Sequence, residues 1–99
     1  MSAFENLLNE DRRLAILRLL SEDAGVSLNE SVLQSCLSAL GHTVSRDRVR
    51  TDMEWLREQG LVTIQEVVSV KVATLTGRGE DAAQGKTVIP GVKRPRPRG

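Results

Sequence analysis

The chain is poor in the residues that most site chemistry needs. Its 99 residues include no tyrosine, one phenylalanine (Phe4), one tryptophan (Trp55), one histidine (His42) and one cysteine (Cys36). So few aromatics exclude a stacking platform for single-stranded nucleic acid, which needs several exposed rings, and leave the core to Leu, Val, Ile and Ala. A lone cysteine cannot close an internal disulfide. No Cys or His cluster has metal-ligand spacing, so neither a metal nor a cofactor is expected. There is no run of eighteen apolar residues, and the opening MSAFENLLNEDRR lacks a basic segment followed by an unbroken apolar stretch. The expectation is a cytoplasmic protein that does not engage a membrane. No nucleophile and orienting acid can be assembled around His42. Gly77-Arg78-Gly79 lacks the third glycine, the strand context and the Lys-Ser/Thr of a phosphate loop, so no enzymatic activity is expected.

Acid is missing from one end of the chain. Residues 1–85 carry nine Lys or Arg and thirteen Asp or Glu, a balance of −4, whereas residues 86–99 carry five basic residues and no acid, a balance of +5. The overall charge of +1 therefore conceals an acidic body and a basic tail. A double-stranded DNA binder shows a basic face as its electrostatic footprint, and the average charge of this body counts against strong nonspecific binding.

The chain is long enough for one modest domain, expected over residues 1–85, with an extended Pro/Arg/Lys-rich tail over 86–99. In residues 9–20 Leu14, Leu17 and Leu20, widened by Ile16, recur at helical spacing behind acidic residues suited to a first turn. Phe4, Leu7 and Leu8 continue that spacing. They form an arm, a helix extension able to pair two chains, or a cap on the domain's own core. Residues 21–26 read as a connection. In residues 27–30, Ser27 and Glu30 have the spacing of a capping box, which predicts a second helix over 28–40 with Leu28, Val32, Leu33, Cys36, Leu37 and Leu40 inward and Gly41 ending it. Cys36 then reads as a packed thiol.

Residues 41–44 make a short turn and Ser45 caps a third helix, whose entry is fixed by a staple between Val44 and Val49. Val49, Met53 and Leu56, helped by Trp55, form its inner face, and Gly60 stops it. The period then drops to about two through residues 61–64 and 68–75, predicting two antiparallel strands joined near 65–68. Thr76 caps a short fourth helix that packs on the first through Ala82 and Ala83. Prolines 90, 95 and 97 exclude helix and central strand beyond it, although residues 88–90 can lie on the body or on a partner. The fold class is α+β, mainly α: a winged helix-turn-helix of three helices and a two-stranded β wing, with a short fourth helix and an extended basic tail.

Two resemblances attach to these residues. Ser-x-x-x-Val, then Trp55-Leu56-x-x-x-Gly60-Leu61-Val62, then Leu75-Thr76-x-x-Gly79 resembles winged-helix regulators over about residues 27–85. LNESVLQSCLSALGHTVSRDRVRTDMEWLREQGLV, VATLTGRGEDAAQG and the ending PGVKRPRP are similar to a family of small proteins of tailed phages and Mu-like prophages, over nearly the whole chain. That resemblance implies phage or prophage origin and a winged-helix fold, often labelled a transcriptional regulator, with no established activity. Gly77 departs from it, falling where such proteins more often have a helix-favouring residue.

If the third helix enters a major groove, Ser45, Arg46, Asp47, Arg48, Arg50 and Thr51 meet bases and phosphates. Lys71 can add a phosphate contact, as can Lys93, Arg94, Arg96 and Arg98 from the tail. The competing expectation is a solvated face on which the arginines from Arg46 to Arg50 pair with Asp52, Glu54 and Glu58 at spacings of four, as Arg50 with Glu54. The hairpin tip, carrying an acid and valines but no Lys or Arg, suits another chain better than a groove. Two functions follow: a dimeric DNA-binding regulator, or a protein-interaction adaptor in phage assembly or DNA packaging. The discriminating feature is whether Arg46, Arg48 and Arg50 converge with Lys71 or are neutralised by acids.

Overall fold

A computed structural model describes residues 2–96. Four helices and a three-stranded antiparallel sheet follow in the order α1 (Ala3–Glu22), β1 (Ser27–Asn29), α2 (Glu30–Ala39), α3 (Arg46–Glu58), β2 (Val62–Val67), β3 (Val70–Leu75) and α4 (Gly77–Gln84). The spatial strand order is β1-β3-β2. No helix among the described residues is long and apolar enough to cross a membrane.

The apolar stripes of the helices converge on the sheet. Leu14, Ile16, Leu17 and Leu20 of α1, Leu33 and Leu37 of α2, and Val49, Met53 and Leu56 of α3 are buried with Leu61, Val62, Ala73 and Leu75. Ala82 and Ala83 seat α4 on α1, as their spacing predicted. Gly79 sits in α4 because a Cβ there would fall on the Leu61 carbonyl oxygen and within 2.7 Å of Leu75 Cδ1. Close approach of helix and chain, rather than helix propensity, selects it.

Several local expectations are corrected. Ser27 does not cap α2. It opens β1, its hydroxyl hydrogen-bonded to that of Thr74 (2.9 Å), and Asn29 is the cap, its side chain accepting from the Val32 N–H. The sheet therefore has a third strand where two were expected, because residues 27–29 pair with 72–74 of β3. Glu30 is freed from the cap and lies buried on the inner face of α2. Val32 and Leu40, expected inward, are exposed, and Cys36 is half-buried. The hairpin turns at Val68 and Ser69, later than expected, with Val67 opposite Val70.

Beyond α4 the chain returns to the body. Ile89 and Val92 enter the core, the Lys93 N–H donates to the Glu10 carbonyl (3.1 Å), and Arg13 Nη1 donates to the Gly91 carbonyl (2.9 Å). Arg13 also stacks on Trp55, 4.0 Å from the ring centroid, a cation–π contact that holds this return against α3. Gly91, at φ +95°, lies so close to that ring that a Cβ would come within 2.6 Å of it.

Candidate interaction surface on α3 and the hairpin

Ser45 caps α3 as expected, its hydroxyl accepting from the Arg48 N–H (3.1 Å). Val49, Asp52, Met53 and Leu56 are inward, so at 3.6 residues per turn the outermost line is Asp47, Thr51, Glu54 and Glu58. Three of these four are acids. The arginines lie on the flanks. Arg50 Nε donates to Glu30 Oε1 (2.6 Å), and Arg46 reaches the same carboxylate at 3.7 Å while donating to Gln34 Oε1 (2.8 Å). Arg57 pairs with Glu54 (2.8 Å). Arg48 is exposed on the opposite flank, makes no ion pair within 4 Å among the described residues, and borders a cleft with Glu5, Leu8, Asn9 and Arg12 of α1. The predicted Arg50–Glu54 pair does not form, since Glu30 takes Arg50 instead.

Glu30 is the centre of this arrangement. Its Oε2 accepts the Lys71 backbone N–H at 2.6 Å. Strand β1 ends at Asn29, opposite Val72. The carboxylate thus takes over the β3 edge where the ladder stops. One buried side chain ties α2, α3 and the hairpin. The Arg50 hydrogen bond holds the Glu30 carboxyl below its ordinary range despite burial, with the Lys71 N–H acting in the same direction, and Arg50 is raised by the same contact.

Asp52, read from spacing as a surface partner, is buried beneath α3. It accepts from Arg12 Nε (2.5 Å) and Nη2 (3.1 Å), and Arg12 Nη2 also donates to Asn9 Oδ1 (2.7 Å). Both buried acids had a legible signal. Glu30 shares the phase of Leu33 and Leu37, and Asp52 that of Val49, Met53 and Leu56.

The remaining candidates lie elsewhere. Thr51 Oγ1 donates to the Asp47 carbonyl (3.0 Å). Lys71 sends its backbone rather than its ammonium to Glu30. Lys93 pairs with Asp11 (3.1 Å), whose other oxygen is held by His42 Nε2 (2.7 Å), so the one histidine is a strut between the α2–α3 turn and α1. Arg94 and Arg96 border a cleft with Gln84, Gly85 and Pro95 at the end of α4. Arg98 lies outside the described residues. Arg46, Arg50 and Lys71 thus meet around the carboxylate of Glu30, while Arg48, Lys93, Arg94 and Arg96 lie elsewhere.

The hairpin tip is apolar. Val67 and Val70 are exposed, and Val68 is 92% exposed. Both central turn residues have positive φ, +49° at Val68 and +66° at Ser69. Asn-Gly meets that demand without strain, whereas a β-branched residue there costs about 1–2 kcal/mol.

These features define a small α+β domain whose exposed helix α3 and hairpin present an acid-lined, valine-tipped surface. No known family profile and no solved structure matches the chain. Two relatives do. The chain is 55% identical over 93 residues to the uncharacterized protein gp26 of Escherichia phage Mu, covering 94% of this chain and 96% of that protein. It is 47% identical over 77 residues to an uncharacterized protein of Haemophilus influenzae (strain ATCC 51907 / DSM 11121 / KW20 / Rd), covering 77% of this chain and 74% of that one. The chain belongs to the family of phage Mu gp26.

Proposed function

We propose that the chain is a winged helix-turn-helix of phage type that works as a protein-interaction adaptor, in phage assembly or DNA packaging, with α3 and the hairpin as its docking surface. One observation carries this reading: Arg46 and Arg50 are both drawn onto the buried Glu30 and Arg57 onto Glu54, leaving Asp47 and Glu58 as the charges on the outermost line of α3 with no ion pair among the described residues. A helix entering a groove with Asp47 and Glu58 leading is repelled by phosphates. The strained, exposed Val68 supports the same reading, since unrelieved backbone cost at an apolar tip is the mark of a contact residue.

The expected regulator of double-stranded DNA is the second reading, favoured by Arg48 beside the Ser45 cap, which has no ion pair among the described residues. Two experiments separate them. In mobility shifts against a random duplex pool at about 50 and 200 mM salt, an adaptor shows only weak, fully salt-sensitive binding with no sequence enriched. In phage-producing cells, a photo-crosslinker at position 68 joins the adaptor to one discrete protein. The Val68→Asn, Ser69→Gly double variant should be about 1–2 kcal/mol more stable and lose that partner in pull-down. An enriched DNA sequence whose binding fails with Arg48→Glu establishes the regulator instead.

A further inference from the structure

Outside α3, three described arginines make no ion pair and no side-chain hydrogen bond, and the fold brings them together. Arg18 lies in the last turns of α1, and Arg94 and Arg96 lie on the returning chain beyond α4. Two open clefts, of about 690 and 550 Å³, share Gln84, Pro95 and Arg96. Arg18 borders the first and Arg94 the second.

The sequence explains this placement. Pro95 is half-buried against Gly85, the left-handed residue that ends α4 at φ +78°, and a Cβ built on Gly85 would stand 3.6 Å from Pro95 Cγ. The residue before a proline is held extended, and along extended backbone alternate side chains share a side. With Pro95 turned to the body, Arg94 and Arg96 both face out, about 6–7 Å apart along the chain, and both are exposed. Burial of Ile89 and Val92 and the Arg13–Gly91 hydrogen bond fix the segment that delivers them.

We propose that Arg18, Arg94 and Arg96 form a sequence-independent seat for the sugar–phosphate backbone of duplex DNA. The chemistry of the patch selects that partner. Three guanidinium groups stand against one carboxylate, Glu22, which is four residues from Arg18 yet makes no ion pair with it. A guanidinium presents paired donors that match phosphate oxygens. A protein partner needs an apolar centre to bury, and the clefts offer only Ala83 and Pro95. A single strand needs rings on which to stack, and no aromatic residue borders either cleft. A surplus of like charge carried partly on an extended segment fits the regular polyanion of a duplex. No residue of α3 or of the hairpin borders the clefts, so the seat does not rest on what α3 binds. A chain that holds duplex here and protein on α3 joins the two.

Fluorescence anisotropy of the full chain with a labelled random-sequence duplex tests the proposal. With three phosphates neutralised, affinity should fall about 40-fold between about 50 and 200 mM salt, a log–log slope of about −2.7. Arg94→Gln combined with Arg96→Gln should reduce that fall to about 3–4-fold. Adding Arg18→Gln should remove the binding, with circular dichroism and melting temperature unchanged because all three side chains are exposed. Arg48→Gln should leave affinity and slope as they are, and poly-glutamate should compete far less well than unlabelled duplex. No binding at about 50 mM salt, binding that survives the triple variant, loss on Arg48→Gln alone, or poly-glutamate competing as well as duplex overturns the proposal.

Discussion

Replacing Glu30 by Gln tests the central claim about α3, that one buried carboxylate both fastens the fold and neutralises the helix. Gln keeps the volume and an acceptor for the Lys71 N–H, but offers Arg50 an uncharged group in place of a carboxylate at 2.6 Å. Breaking a fully buried ion pair costs about 3–5 kcal/mol. Here the Arg50 side chain remains 42% exposed and is rehydrated when released, so the loss falls to about 2 kcal/mol, the range of one charge-assisted hydrogen bond. For a domain of this size that lowers the melting temperature by about 8–16 °C.

The pH dependence has a definite sign. Glu30 has a folded-state pKa held below its ordinary 4.5, chiefly by the Arg50 hydrogen bond. A depressed carboxyl contributes stability above the unfolded pKa and loses it as pH falls through the folded one. The gap between parent and Glu30→Gln, followed by urea denaturation, should be full near neutrality and close below pH 4.5. Released from Glu30, Arg46 and Arg50 become available to phosphate. Affinity for random duplex should therefore rise several-fold at about 50 mM salt, and the log–log salt dependence should steepen by up to about two. A gap that persists unchanged to low pH, or a variant that binds DNA less well, refutes the reasoning.

Gly79→Ala should destabilise the chain by about 3 kcal/mol or more, because its Cβ has no room against Leu61 and Leu75, whereas Gly77→Ala meets nothing within 4 Å and should add up to about 1 kcal/mol by helix propensity. Equal responses in thermal melts would show that propensity, not packing, governs α4. Asp52→Ala strands Arg12 in the core and should cost about 3–5 kcal/mol, while Asp52→Leu combined with Arg12→Met should recover most of that in urea titrations. An equally unstable double variant would show that the pair's hydrogen bonds, not its stranded charge, carry the effect.

Helices α3 and α4 were legible because each combines a period with punctuation. Ser45, Val44 with Val49, and Gly60 bracket α3, and Thr76 and Gly85 bracket α4, so local rules and tertiary packing agree there. Strand β1 was not legible. Three residues carry too little period to register, and Ser27-x-x-Glu30 satisfies the spacing of a capping box in a chain where both members are needed elsewhere. The ion pairs failed for a related reason. Spacing of four identifies partners on an isolated helix, but an acid from another element that is already buried gains more from an arginine than a solvated acid on the same helix does. Glu30 outcompetes Glu54 for Arg50 on that ground, and Glu54 is left to Arg57.

The same competition explains why an arginine-rich helix can present an acidic line. Of its four arginines, Arg46 and Arg50 serve Glu30, Arg57 serves Glu54, and only Arg48 lacks an ion partner among the described residues. The basic surplus of the chain is carried by residues 86–99, and Lys93, at the start of that stretch's run of basic residues, is spent on Asp11 midway along α1. Counting cations along the sequence thus overstates the charge available to phosphate, because a cation bound to a buried carboxylate cannot be lent to a ligand without uncovering that carboxylate. For this chain the uncovering would fall on Glu30, the group that also closes the β3 edge. Recruiting Arg46 and Arg50 to DNA would loosen the hairpin that a winged reader needs in place, whereas docking a protein on the carboxylates of α3 and the valines of the tip leaves Glu30 untouched.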